Sequence, residues 1–289
     1  MLRQNILFST DEKYCPHVAT AICSLVVNNS DIFFDIYLFH SSLSIASQTK
    51  LSSVVDSTLA RIHFIEISHR EFQGMPLGCH FTKPIYYRLL AANHITGDTC
   101  LYLDSDIIVT GSLANLFSIY LGNSLLAAVV DQGFRGLPSL GLSPGAKYFN
   151  SGVILINLSM WRTFSMASLV VQVIDRNPSS VWFPDQCGLN AVVDGNFLEL
   201  EACYNYQSSL ADACCPISSV SGDSPLIVHF SGHSKPWHLN NKHPYKGLYW
   251  YYRNKTPFRS LWSDDLSLNT VIRKLLPSSI KRCIRKLLP

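Results

Sequence analysis

The run Leu101-Tyr102-Leu103-Asp104-Ser105-Asp106-Ile107-Ile108-Val109 carries an apolar, β-prone segment into two carboxylates set two residues apart. Cys100–Asp104 reads as a strand, being short, apolar and bounded by polar residues; Asn5–Phe8, Phe34–Phe39 and Arg61–Ile67 read the same way upstream. Between them, His17–Asn28 and Ser44–Asp56 space their apolar residues as helices do, and Pro84 is suited to open a third helix running through Tyr87 and Leu90. Strand–helix alternation of this kind predicts an α/β fold with a mainly parallel sheet covered on both faces. Ligands then sit beyond the carboxyl ends of the strands, where Asp104 and Asp106 stand. On a regular strand both would point one way and offer two hard oxygen donors to Mg²⁺ or Mn²⁺, with diphosphate oxygens as further ligands.

Downstream, Leu125–Val130 and Gly152–Leu158 look like further sheet members, and Asp131 follows the first directly. Gly133–Gly145 reads as a loop over the same edge and Ser208–Pro225 as an irregular connector. A short strand, Leu226–His229, then leads into Phe230-Ser231-Gly232-His233-Ser234-Lys235-Pro236-Trp237. His229 at this second strand end is an acceptable third ligand for Mn²⁺. Gly232 lets backbone approach a phosphate, and Lys235 is placed to neutralise a diphosphate leaving group.

The 289 residues are 47% hydrophobic and only 15% charged, against about 25% charged in an ordinary soluble domain. That balance excludes intrinsic disorder. The longest apolar run, Leu125–Val130, is far too short for a spanning helix. Met1-Leu2-Arg3-Gln4-Asn5, leading within a few residues to Asp11-Glu12-Lys13, does not fit a signal peptide. The nine cysteines form no CxxC pair and mostly sit in apolar runs, as expected of a reduced cytoplasmic protein without a zinc site or disulfide framework. The net charge of +3 conceals a tail with Arg273, Lys274, Lys281, Arg282, Arg285 and Lys286 and no acid, so the body before it is net acidic. A nucleic-acid partner is not expected, because its electrostatic footprint needs basic residues over the body.

Four motifs stand in order: Asp104-Ser105-Asp106; Phe149-Asn150-Ser151-Gly152-Val153-Ile154-Leu155-Ile156-Asn157-Leu158 with Trp161; Asp185-Gln186; and His229-Phe230-x-Gly232-x-x-Lys235-Pro236-Trp237. Together they resemble glycosyltransferase family 8, specifically the bacterial lipopolysaccharide and lipooligosaccharide galactosyl- and glucosyltransferases, from about Asn5 to Trp237. The resemblance implies a GT-A nucleotide-sugar-binding (Rossmann-like) fold, with a mixed, mainly parallel central sheet and a small helical C-terminal segment. It implies a retaining, Mn²⁺-dependent hexosyltransferase (Mg²⁺ being the other candidate cation) that uses a UDP-sugar donor. By that resemblance, Asp104, Asp106 and His229 would hold the metal. Ser9-Thr10-Asp11-Glu12-Lys13-Tyr14 is similar to the family's nucleotide-binding turn, with Asp11 bonded to uracil and Tyr14 stacked on it; Lys13 stands where the family often has Asn. Ser105 belongs to the same donor site. Arg88 matches an arginine that contacts the donor sugar and its phosphate, and His80 lies in a loop that closes over the donor. Asp131 and Asn150 match residues bonded to the hexose, and Gly232 and Lys235 would hold the diphosphate. Gln186 and Asp185 fall at the catalytic position. An amide is a poor nucleophile, so the expectation is same-face attack by the acceptor hydroxyl, with Gln186 supporting the cationic sugar and Asp185 binding its hydroxyls.

Two regions follow from this reading, a GT-A catalytic domain over 1–242 and an aromatic, basic membrane-association segment over 243–289. The segment is rich in rings from Tyr245 to Trp262 and ends in a repeated Ile-Arg-Lys-Leu-Leu-Pro. Basic amphipathic segments favour an anionic membrane surface. This places the enzyme in the cytoplasm, peripherally on the inner face of the bacterial inner membrane, with a lipopolysaccharide core or similar lipid-linked oligosaccharide as acceptor. Two alternatives stand beside this function: a self-glucosylating, glycogenin-like initiator using the tyrosines of 245–252, and an inactive UDP-sugar or glycan-binding protein.

Overall fold

The computed structural model describes residues 2–68, 70–76, 83–131, 133, 141–177, 182–208 and 224–267. Strands β1 (Leu2–Thr10), β2 (Ile32–His40), β3 (Ala60–Glu66), β4 (Thr99–Leu103), β6 (Leu126–Val130), β7 (Phe149–Asn157) and β8 (Leu198–Glu199) form a seven-stranded sheet in the order β3-β2-β1-β4-β7-β6-β8. The β1–β2, β2–β3, β1–β4 and β6–β8 pairs are parallel, and β7 runs antiparallel to both neighbours. A second sheet of three strands has the order β5 (Ile107–Val109), β10 (Ile227–His229), β9 (Tyr206–Gln207).

Both faces of the large sheet are buried, so its central strands are continuously apolar rather than alternating: Ile6, Leu7 and Phe8 of β1 are fully enclosed. One face packs against α1 (Cys15–Val27) and α2 (Ile45–Ser52). The other is covered by a 3₁₀ helix over Lys83–Leu90, α3 (Ala91–His94), α5 (Leu158–Phe164), α6 (Met166–Arg176) and α7 (Pro184–Val193). The short α4 (Ala114–Phe117) lies after β5, and α8 (Lys246–Arg253) packs Tyr249 and Tyr252 beside the small sheet. Local sequence sets several ends. Pro16 opens α1, Ser44 caps α2 through its bond from Ser47 N–H (3.1 Å), and Asn157 caps α5 through Met160 N–H (3.1 Å).

Four expectations are corrected. The helix expected from Pro84 is 3₁₀ through Leu90, with Arg88 buried in it, and becomes α-helical only at Ala91. The helix expected over Ser44–Asp56 ends at Ser52. Asp104 and Asp106 do not share a face of one strand: β4 stops at Leu103, and Ile107 starts β5 in the other sheet. The carboxylates converge because the turn between two sheets aims them at a common point. The strand expected from Gly152 begins three residues earlier, at Phe149. His80, most of the Gly133–Gly145 loop, most of the Ser208–Pro225 connector and the basic tail from 268 onward lie outside the described residues.

Candidate active site

The strand order reverses direction at β1 and β4, and the crevice at their carboxyl ends is the switch point where α/β sheets bind ligands. Two segments meet there. Ser9-Thr10-Asp11 leaves β1 and Asp104-Ser105-Asp106 leaves β4, tied by the Ser105 hydroxyl donating to Ser9 O at 2.9 Å. Asp11 caps the turn after β1, its Oδ1 accepting from Lys13 N–H (3.0 Å) and Tyr14 N–H (3.1 Å). Tyr14 stands partly exposed at the rim, edge-on to the Trp237 ring. Burial of its hydroxyl, with Asp106 and Asp11 nearby, pushes the phenol up to about 12.

Asp104, Asp106 and His229 each offer a ligand atom within 4.8 Å of one another. His229 Nε2 lies 3.7 Å from Asp104 Oδ2 and 3.4 Å from Asp106 Oδ1. Two hard carboxylates and one imidazole suit Mg²⁺ or Mn²⁺, and the floor beneath them is shaped for an ion. At Gly152 a Cβ would fall almost onto His229 Cε1 and 2.8 Å from Asp104 Oδ2, so only glycine leaves the donors room to converge. The cluster carries its own counter-charges. Lys235 bonds Asp106 and also donates to Phe230 O at 2.8 Å. Burial alone would raise the Asp106 carboxyl, but the Lys235 ammonium and the His229 ring outweigh it and hold that carboxyl well below the usual carboxylate range. Gly232 supplies a left-handed turn (φ +84°) with open space where a Cβ would stand.

Arg88 is the hub on the other side. It is 4% exposed, stacks 4.1 Å over the Tyr102 ring, donates to Ser151 O (2.6 Å) and to Asp104 Oδ1 (3.0 Å), and lies 3.2 Å from Asp185 Oδ2. Burial lowers its pKa, but Asp185, Tyr102 and Asp104 more than offset that, so the guanidinium is firmly charged. Asp185, also buried, is shifted upward by burial against the pull of Arg88. Gln186 is tied at both ends of its amide: Oε1 accepts from Ser151 N–H (2.9 Å) and Nε2–H donates to Asp131 Oδ2 (3.0 Å). Asn150 reaches the same Asp131 oxygen at 3.4 Å. The structure therefore gathers Asp131, Asn150, Asp185, Gln186 and Arg88 beside the three cation donors. Asp131, Asn150, Asp185 and Gln186 lie on one wall, built from β7, the start of α7 and the end of β6, and Arg88 reaches it from the 3₁₀ helix.

The family match covers residues 5–241 and is to glycosyl transferase family 8. The chain belongs to glycosyltransferase family 8. It is 30% identical over 262 residues to glycosyltransferase GlyF of Streptococcus pneumoniae serotype 4, covering 88% of this chain and 62% of GlyF. This chain therefore corresponds to less than two thirds of that relative. General stress protein A of Bacillus subtilis (26% identical; 91% of this chain, 97% of that protein) and the lipopolysaccharide 1,2-glucosyltransferase of Escherichia coli K12 (26%; 90% and 79%) align over more of their own length. Among solved structures, the galactosyltransferase LgtC bound to donor and acceptor sugar analogues superposes with a TM-score of 0.80 at 24% identity, over 88% of this chain and 96% of LgtC. The family 8 chain is thus a glycosyltransferase of GT-A fold.

Two buried asparagines of this site are absent from the sequence reading. Asn190, on α7, pins that helix to β7 by accepting from Phe149 N–H (2.8 Å) and donating to Phe149 O (2.9 Å), as a neighbouring strand would. Asn205 bridges Asn150 and His229. Neither has a signal in a single sequence: each is a lone amide outside any charged motif.

Proposed function

We propose that this family 8 enzyme transfers galactose or glucose from a UDP-sugar, with retention, to a lipid-linked saccharide acceptor such as a lipopolysaccharide core. The observation that carries the reading is the convergence of Asp104, Asp106 and His229 within 4.8 Å beside Lys235 at the switch-point crevice. Asp104, Asp106 and His229 would hold Mn²⁺ or Mg²⁺, which would supply electrostatic stabilisation to the diphosphate leaving group. Lys235 adds a second positive charge to the same leaving group, and Gly232 lets backbone approach it. Asp11 and Tyr14 form the uracil end, with Ser105 holding the β1 turn in register. Arg88, Asp131, Asn150 and Asp185 hold the hexose. Bond breaking at the anomeric carbon builds positive charge on the sugar, as in glycoside hydrolysis, and the Gln186 amide faces that charge as a fixed dipole. With both ends of the amide already bonded, Gln186 orients rather than attacks.

The acceptor and the address follow from the C-terminal region. Leu261 and Trp262 are exposed just ahead of the basic tail, and no helix among the described residues is long and apolar enough to cross a membrane. Peripheral attachment to an anionic surface through residues 243–289 fits both. The self-glucosylating alternative loses Tyr249 and Tyr252, which are buried.

The test is UDP release from UDP-galactose and UDP-glucose by the purified protein, with and without Mn²⁺, beside Asp106→Ala. Metal-dependent release with one sugar, lost in the variant, supports the reading and names the donor. Failure to bind UDP in the presence of Mn²⁺ would sink it.

A further inference from the structure

Asn205 sits in the turn between a one-turn 3₁₀ helix at Ala202–Tyr204 and β9, and it is completely buried. Its amide has two partners, and they fix its orientation. Nδ2–H donates to Asn150 Oδ1 at 2.9 Å. Asn150 Oδ1 also accepts from Gly152 N–H at 3.0 Å, so that atom is an oxygen and the group facing it must be the Asn205 NH₂. The other end of Asn205 is then its carbonyl oxygen, 3.0 Å from His229 Nδ1. An acceptor at that position requires a proton on Nδ1, so in the neutral ring the lone pair stands on Nε2, the nitrogen that faces Asp104 and Asp106. The direction of donation continues the other way, because Asn150 turns its own NH₂ to Asp131 Oδ2 (3.4 Å), where Gln186 also donates.

We infer that Asn205 is a positioning residue: it locks His229 in the Nδ1–H tautomer that can ligate a cation, and it ties that ligand to the Asn150–Asp131–Gln186 wall. This rests on the metal reading of Asp104, Asp106 and His229 proposed above. Three features make the lock directional. Gly152 N–H is a backbone donor that cannot be reversed, Asn150 has one oxygen and it is used, and Asn205 therefore has one orientation. Partners that orient a ligating imidazole in this way commonly govern metal affinity by 10–100-fold.

The tautomer can be read in the metal-free protein from the ring ¹⁵N shifts and nitrogen–proton couplings of ¹⁵N-labelled protein, with His229 assigned by the signals missing in His229→Gln. Read at a pH where the ring is neutral, the expected wild-type state is Nδ1–H, and a neutral Nε2–H ring overturns the inference whatever the variants do. Asn205→Leu, which keeps the volume and removes both partners, is expected to release the tautomer. It should also weaken Mn²⁺ binding, followed as loss of the free Mn²⁺ electron paramagnetic resonance signal, by at least tenfold. An unchanged ring and an affinity within twofold of wild type overturn the lock. Asn205→Asp keeps an acceptor for Nδ1–H and is expected to keep the tautomer, and losing it counts against the inference. A wild-type protein that binds no Mn²⁺ would overturn the metal reading alone, since the ring measurement needs no ion.

Discussion

His17 lies flat against Trp237, with ring centroids 3.5 Å apart and planes 14° from parallel. This contact joins α1 to the loop that carries Lys235. Three others hold the same loop from the C-terminal side. Trp250 Nε1–H donates to Pro236 O (3.0 Å), Asp264 N–H to Trp237 O (3.0 Å), and Tyr249 packs 5.5 Å from the Trp237 ring. Residues beyond 241 therefore brace the segment that presents Lys235 to Asp106. Trp237→Ala should cost about 3–5 kcal/mol, as truncation of buried tryptophan does, seen as a lower urea midpoint. It should also reduce turnover at temperatures where the variant is still folded, because Lys235 loses its support.

The same histidine gives a pH dependence. Burial, reinforced by Arg253, lowers the His17 pKa to about 3, while Tyr249 OH bonds Nδ1 at 2.7 Å. The unfolded chain takes up a proton at this ring near pH 6.5 and the folded protein does not. Folding stability must therefore fall as pH drops from about 6.5 towards 3, with a slope approaching about 1.4 kcal/mol per pH unit for this one group. Urea titrations across that window should show the slope reduced by about that amount in His17→Gln. An equal slope in both proteins would mean that His17 is protonated in the native state.

Gly152 permits the convergence of the three cation donors, so Gly152→Ala tests geometry without touching a charge. The added methyl must displace the His229 ring or the Asp104 carboxylate. Misplacement of a reacting constellation by about 1 Å can cost about 100-fold. Turnover of the UDP-sugar and Mn²⁺ affinity should both fall by at least tenfold, with far-ultraviolet circular dichroism unchanged. Wild-type Mn²⁺ affinity in this variant would place the cation elsewhere.

What the sequence disclosed depended on how local the cause was. β1, β2 and β4 were legible because burial on both faces makes them plain apolar runs, and Asp104 and Asp106 because charge at a strand end is conspicuous. The turn that splits β4 from β5 was not legible, since Ile107-Ile108-Val109 continues the same β-prone composition into a different sheet. α7 escaped for the opposite reason: Asp185, Gln186 and Asn190 face inward, so its buried side is polar and the usual amphipathic contrast is missing. α6 carries a legible signal in Met166, Val170 and Ile174 at four-residue spacing, its buried stripe. Asn205 depends on three chain segments meeting, which no window of sequence contains.

Gln186 offers the sharpest chemical test. Its Oε1 accepts from Ser151 N–H while its Nε2–H donates to Asp131 Oδ2, so the site needs an acceptor and a donor on one planar group. A protonated carboxylic acid meets both needs and an ionised carboxylate does not. In Gln186→Glu the new carboxyl would be buried and would face Asp131 at about the present 3.0 Å, and both effects raise its pKa. At low pH the acid form donates to Asp131 and accepts from Ser151, as the amide does. As pH rises through its pKa, two carboxylates oppose each other and the sugar-facing wall opens. The kcat/KM of Gln186→Glu should therefore fall with rising pH over a range where the wild type is flat, and Gln186→Ala should be slow throughout. Incubation of wild type with the donor alone should add no hexose mass at Gln186. A trapped adduct on that residue, or a pH profile of the Glu variant that rises as its carboxyl ionises, would identify position 186 as a nucleophile and refute same-face attack.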